Sequence, residues 1–153
     1  MKNYQITSWV HHFLEDHVQP GDICIDATMG NGNDTALLSR LVGESGRVVA
    51  FDIQQMALDN TREKMKKEGC PENYELVLDS HEAMAEYAEE NTVSCITFNL
   101  GYLPGGDHTK ATKGESSIRK HALMVHDRRQ PHAKLQADAD DLCHILKKHF
   151  ICL

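Results

Sequence analysis

No stretch of this 153-residue chain approaches the roughly 18 consecutive apolar residues that a membrane span needs. No basic-then-apolar start reads as a signal peptide, so secretion and membrane insertion are both excluded as expectations. Cysteine is too sparse and too scattered for a disulfide framework: Cys24, Cys70, Cys95, Cys143 and Cys152 are odd in number and widely spaced. A reducing, cytoplasmic setting suits them better. Basic residues are scarce in the first 117 positions, where nine Lys and Arg stand against nineteen Asp and Glu. Such an acidic body matches long nucleic acid poorly, because phosphate neutralisation supplies most non-specific affinity, although a local RNA contact stays open. Glycine and threonine are missing altogether from residues 118–153, which carry five of the ten histidines and only four β-branched residues. The last 36 positions therefore lack the composition of a sheet.

What is present, at 41% hydrophobic and 25% charged residues, is the balance of one globular domain. Ile6, Val10, Phe13, Leu14 and Val18 recur at helical spacing after a cap at Thr7 or Ser8, and Pro20-Gly21 ends that element. Short apolar runs then alternate with helical ones. Strands are expected at 23–25, 47–51, 74–78 and 93–98, and helices from Asn33 or Asp34 to Gly43, over 55–68 and over 81–90. This alternation predicts a parallel sheet with helices on both faces. Met56, Met65 and Met84 are expected in its core, and His11 and His12 in solvent. The four strands end on Asp26, Asp52, Asp79 and Asn99. Ligands of such sheets bind beyond those ends, at the switch in strand order.

Gly30-Asn31-Gly32 follows the first strand and opens a helix, an arrangement that brings backbone close to a ligand and offers free N–H groups to an anion. The third glycine of a dinucleotide fingerprint is absent, because Thr35 occupies its place. Asp26 would repel a pyrophosphate and favours a ligand carrying an ammonium and a sulfonium. Asp52, 22 residues beyond Gly30, is placed to accept both hydroxyls of a ribose. A nicotinamide dehydrogenase is accordingly disfavoured. Cys143, His144, His149 and Cys152 fit no familiar metal-ligand spacing, so no metal is expected. Lys110 and Lys113 read as solvated or phosphate-facing.

Four blocks in order then resemble a known family: Asp26-Ala-Thr-Met-Gly-Asn-Gly-Asn-Asp34, Phe51-Asp-Ile-Gln54, Leu78-Asp-Ser-His-Glu82 and Phe98-Asn-Leu-Gly-Tyr-Leu-Pro-Gly-Gly106. They are similar to the bacterial class I methyltransferases labelled rRNA methylases, a family associated with tRNA 5-(aminomethyl)-2-thiouridine methyltransferase activity at the wobble uridine. The resemblance implies a Rossmann-like fold, S-adenosylmethionine as methyl donor and the anticodon region of tRNA as partner. By position, Asn31 and Asn33 should hold the methionine part of the donor, Asp52 and Gln54 the ribose and adenine edge, and Ser80 and His81 should flank the adenine. Asp26, Asp34 and Asp79 are secondary candidates. Asn99 and Tyr102 occupy the place of an amine-methylating motif, in which an amide oxygen orients the amine and an aromatic ring stacks on an extruded base. Asp107 or His108 is a weaker candidate for a base. The alternatives are a methyltransferase for rRNA or another amine, and an inactive cofactor-binding remnant; a homodimer is left open. Residues 1–117 form the expected methyltransferase domain, and 118–153 a divergent, truncated or frameshifted tail. A helix near 138–150 and at most one short strand, Ala122–Val125 beside the fourth, are expected in that tail.

Overall fold

The computed structural model describes residues 4–89, 92–100, 120–125 and 151–152. In chain order they form α1 (Tyr4–His17), β1 (Ile23–Asp26), α2 (Asn33–Val42), β2 (Arg47–Asp52), α3 (Gln55–Lys67), β3 (Tyr74–Leu78), a 3-10 turn over His81–Glu86, β4 (Val93–Leu100), β5 (Lys120–Val125) and β6 (Ile151–Cys152). The strands make one sheet in the order β3-β2-β1-β4-β5-β6. β1 to β4 run parallel, whereas β5 lies antiparallel to β4 and β6 antiparallel to β5. The chain steps outward from β1 to β2 to β3, then crosses back to place β4 on the other side of β1. The crevice beyond β1 and β4 is therefore the switch point, where a ligand finds strand ends diverging.

The strands follow from their side chains. Cys24, Val48 and Cys95 point to one face and pack against Val10, Leu14 and Val18 of the α1 segment and Leu37, Leu38 and Val42 of α2. On that same face Ala57 and Leu58 of α3 pack with Met29 and Ala50. Ile25, Val49, Phe51, Val77, Ile96 and Phe98 make the other core face, against which Met84, Tyr87 and Ala88 are packed. Strands so apolar on both sides belong inside a layered α/β sheet. Helical segments cover both faces as expected, though unequally among the described residues: α1 to α3 share one face, and the 3-10 turn meets the other.

Several expectations are corrected. α1 already runs through Thr7 and Ser8, because the helix starts at Tyr4 and a local cap preference is weaker than the packing of a whole apolar stripe. The helix expected over 81–90 is a 3-10 turn of six residues, capped by Ser80 Oγ accepting from the Glu82 N–H at 3.2 Å. Glu82 and Glu86 would repel each other at i,i+4 in an α-helix. Its end is held by Arg47, which donates to the Tyr87 carbonyl at 3.0 Å, and by the edge of Tyr87 against Phe51. Met56 is exposed rather than in the core, while Met65 is fully buried. Residues 120–125 do continue the sheet: the short strand expected beside the fourth is there, two residues longer, and β6 adds a second. β4 is thereby paired on both sides. The helix expected near 138–150 lies outside the described residues.

Gly46 precedes β2 where a methyl group has no room: a Cβ would stand 2.4 Å from Val42 Cβ and 2.7 Å from the carbonyl oxygens of Asp22 and Val42. Two of those three neighbours are backbone and cannot rotate away. Gly46→Ala should therefore destabilise the domain by about 1–3 kcal/mol, the usual cost of overpacking. Chemical denaturation should show it as a lower midpoint with an unchanged slope.

Candidate functional site

β1 ends under its own loop. Asp26 is 1% exposed, and its carboxylate accepts from the Thr28 N–H at 3.2 Å and from the Thr35 hydroxyl of α2 at 2.6 Å. The loop between them is fixed from three sides. Met29 N–H donates to the Phe51 carbonyl of β2 at 2.9 Å, and Thr61 of α3 donates to the Gly30 carbonyl at 3.2 Å. The Asn60 amide donates to Asn31 Oδ1 at 3.0 Å. Gly32 has φ +79°, and a Cβ there would lie 2.9 Å from two Thr61 side-chain atoms, so conformation and space both require glycine. Being the cap residue of α2, Gly32 also leaves the helix without a side-chain cap. Asn31 and Asn33 are exposed on either side of it.

Asp52 does more than the sequence reading assigned to it. Its Oδ2 accepts from the Gly30 N–H at 3.1 Å and its Oδ1 from the Gln54 N–H at 3.0 Å, so one side chain ties the ends of two strands together. A carboxylate has about four acceptor sites, which leaves two for the hydroxyls of a ribose. Gln54 is buried next to it, and Ile53 and Leu78 stand 44% and 49% exposed. Leu78 is the register partner of Asp52 across β2 and β3. Exposed apolar side chains beside such a carboxylate suit a flat base.

Ser80 spends its hydroxyl oxygen on the cap of the 3-10 turn, and Asp79 accepts from the Ser80 N–H at 2.7 Å. His81 is half-buried with its ring edge-on to Phe98 at 5.5 Å, and burial pushes its pKa down, so the ring is neutral near pH 7. Phe98 directly precedes Asn99. The Asn99 N–H donates to the Thr28 hydroxyl at 2.6 Å, which brings the end of β4 onto the loop after β1. The structure thus gathers Asn31, Asn33, Asp52, Gln54, Ser80, His81 and Asn99 along one rim. Tyr102, Asp107, His108, Lys110 and Lys113 lie outside the described residues, as do the side chains of Cys143, His144, His149 and Cys152.

Three features were missed. Thr28, Thr35 and Thr61 hold the loop, yet nothing in their spacing marked them. The Thr97 hydroxyl, on the register partner of Asp26, is buried with no hydrogen-bond partner. His11 does not face solvent freely: its Nε2 meets Asp34 Oδ1 at 2.7 Å, joining α1 to the first turn of α2, whereas His12 is exposed as expected.

A parallel sheet with a glycine loop after β1, a carboxylate ending β2 and a switch point beside β4 is the Rossmann-like architecture of class I methyltransferases. The chain belongs to the family described as "Putative rRNA methylase", whose model matches residues 48–126. A Clostridium thermocellum structure described as a putative rRNA-methylase is 44% identical, covers 69% of this chain and 56% of its own, and has a TM-score of 0.65. A Streptococcus mutans methyltransferase in complex with SAH is 42% identical over 67% of this chain and 55% of its own, with a TM-score of 0.59. Among curated proteins, the chloroplastic tRNA (mnm(5)s(2)U34)-methyltransferase of Arabidopsis thaliana is 36% identical, covering 73% of this chain and 44% of that protein. The ubiquinone/menaquinone biosynthesis C-methyltransferase UbiE of Escherichia coli K12 is 37% identical, over 67% and 40% respectively. The chain thus matches less than half the length of these two relatives.

Burial is the main reason that the Asp26 carboxyl is raised from its ordinary value of 3.8 to about 7, and the nearby negative charge of Asp34 adds to it. A carboxyl that holds its proton more tightly when folded stabilises the fold fully below its unfolded pKa. That contribution is lost as pH rises through the folded one. Without ligand, the wild-type chain should therefore lose stability relative to Asp26→Asn between about pH 4 and pH 7. Parallel denaturation of the two proteins checks this; a pH-independent difference would mean that the carboxyl titrates normally.

Proposed function

We propose that this chain is an S-adenosylmethionine-dependent methyltransferase acting on an aminomethyl group of the wobble 2-thiouridine of tRNA. The observation that carries the first half is the Asp52 carboxylate, which fixes the glycine loop and keeps acceptor capacity for a ribose diol. Ile53 and Leu78 offer an apolar wall beside it, and Gln54 with the Ser80–His81 corner suits the polar edge of an adenine. When bound, the donor supplies a methyl group on a positively charged sulfur. The uncapped start of α2, with Asn31 and Asn33 beside it, suits the methionine carboxylate.

The second half rests on Asn99. Its backbone is pinned to Thr28, which leaves its side-chain amide at the switch point, where the amide oxygen can accept a hydrogen bond from an attacking amine. An aminomethyl nitrogen is nucleophilic once neutral, so orientation contributes more here than a strong base. Tyr102 is proposed to stack on the extruded base. The kinship with the Arabidopsis tRNA methyltransferase supports this substrate. A similar identity, over a shorter share of this chain, to the ubiquinone/menaquinone biosynthesis C-methyltransferase favours a second reading, in which the same donor site serves another acceptor. Residues 118–153 are proposed to act as an extension of the methyltransferase domain rather than as a domain of their own.

Incubation with tRNA bearing the unmethylated aminomethyl group, followed by mass analysis of its nucleosides, should show one added methyl on the thiouridine. Methylation confined to rRNA or to a quinone would replace the tRNA reading. Asp52→Ala should weaken donor binding by about 1.5–3 kcal/mol, the range for hydrogen bonds to a charged group; an unchanged calorimetric titration would remove Asp52 from the site. Asn99→Ala should slow methyl transfer while leaving donor affinity nearly intact, and equal losses in both would place Asn99 in the donor pocket instead.

A further inference from the structure

The contact between His11 and Asp34 joins α1 to the first turn of α2, directly after the glycine loop. Asp34 is the second residue of α2, in the turn whose free N–H groups face the ligand side, and its side chain is largely buried. A carboxylate there suits the helix dipole in the free protein. Toward a ligand that brings its own carboxylate to the same turn, it is a repulsive neighbour. His11 reaches across from α1 and meets Asp34 at 2.7 Å, with 28% of its side chain exposed. Leu14 and Val18, further along the same segment, are seated in the core between α2 and the sheet, so α1 presents His11 from a fixed base.

We propose that His11 is a positioning residue for the methyl donor: its imidazolium holds and neutralises Asp34, so that the start of α2 accepts the amino-acid carboxylate of the ligand. This rests on the reading of the rim as an S-adenosylmethionine site. The charges facing His11 are consistent with a protonated ring. Its pKa lies above the ordinary 6.5, first because of the hydrogen bond with Asp34, with burial opposing. Glu15 on its own helix adds to the rise, and Arg40 of α2 opposes it. Asp26 lies beyond Asp34 and feels the same carboxylate, which makes neutralisation of Asp34 useful to both neighbours.

The test compares wild type, His11→Gln and His11→Lys for binding of S-adenosylhomocysteine, which carries the amino-acid carboxylate, and 5′-methylthioadenosine, which lacks it. Glutamine can keep a hydrogen bond to Asp34 without charge, and lysine keeps the charge throughout pH 6–9. At pH 6, His11→Gln should bind S-adenosylhomocysteine about tenfold more weakly than wild type, a size fitting one partly screened charge. The ratio should shrink toward one by pH 9, as the wild-type ring loses its proton. His11→Lys should retain wild-type affinity at pH 6, and all three proteins should bind 5′-methylthioadenosine alike. A Gln penalty that is constant with pH, or equal for both ligands, would make the contact merely structural and overturn the proposal; so would a lysine variant as weak as the glutamine one. Wild type binding neither ligand would instead defeat the reading of the rim itself, whereas wild type binding both with His11→Gln unaffected would defeat this inference alone.

Discussion

The local order of the rim depends on one carboxyl group sealed at the end of the central strand. Asp26 takes the Thr28 N–H on one side and the Thr35 hydroxyl on the other, so the chain that leaves β1 must turn back before it can start α2. A buried carboxyl without such partners would cost several kcal/mol, and the loop conformation is what supplies them. Once the loop is bent this way, Gly30 comes within reach of Asp52, Gly32 closes on Thr61, and Thr28 is free to receive the Asn99 N–H. Four segments distant in sequence are brought together by a turn that one side chain enforces.

Only part of this was legible in the sequence. Cys24-Ile25, Val48-Val49 and Ile96 announce buried strands because parallel strands are apolar on both faces, and Asp26, Asp52, Asp79 and Asn99 stood out at their carboxyl ends, although β4 runs on past Asn99 to Leu100. Asp52 was expected as a ligand group from its distance to Gly30. Its grip on the loop was not, since a hydrogen bond to a backbone N–H leaves no trace in residue type. The contact of His11 with Asp34 joins two helices 23 positions apart, and helical spacing on α1 alone cannot show what stands opposite. The 3-10 turn was hidden by Met84 and Tyr87, which mimic helical spacing. The spacing of Met56 likewise suggested a core position that α3 does not give it.

The antiparallel turn of the sheet at β5 answers a physical need. A parallel sheet that stopped at β4 would leave a long apolar strand with an open edge, an arrangement prone to pairing with other chains. Lys120–Val125 covers that edge in register from Cys95 to Leu100. The family match extends into this strand, to residue 126. The four apolar residues Ala122–Val125 marked this strand in the sequence, whereas Lys120 and His121 gave no sign that it starts two residues earlier.

His81 carries a consequence of a different kind. Lowered in pKa by burial and set against Phe98, it gives the corner between β3 and β4 an uncharged ring flanked in sequence by the acidic Asp79 and Glu82. Recognition of the adenine proposed to bind at that corner would then rest on shape and hydrogen bonding, which dissolved ions screen little. The acidic charges around the rim act over longer distances and fade as ionic strength rises. Salt would therefore alter how quickly a charged ligand arrives far more than it alters which base is accepted.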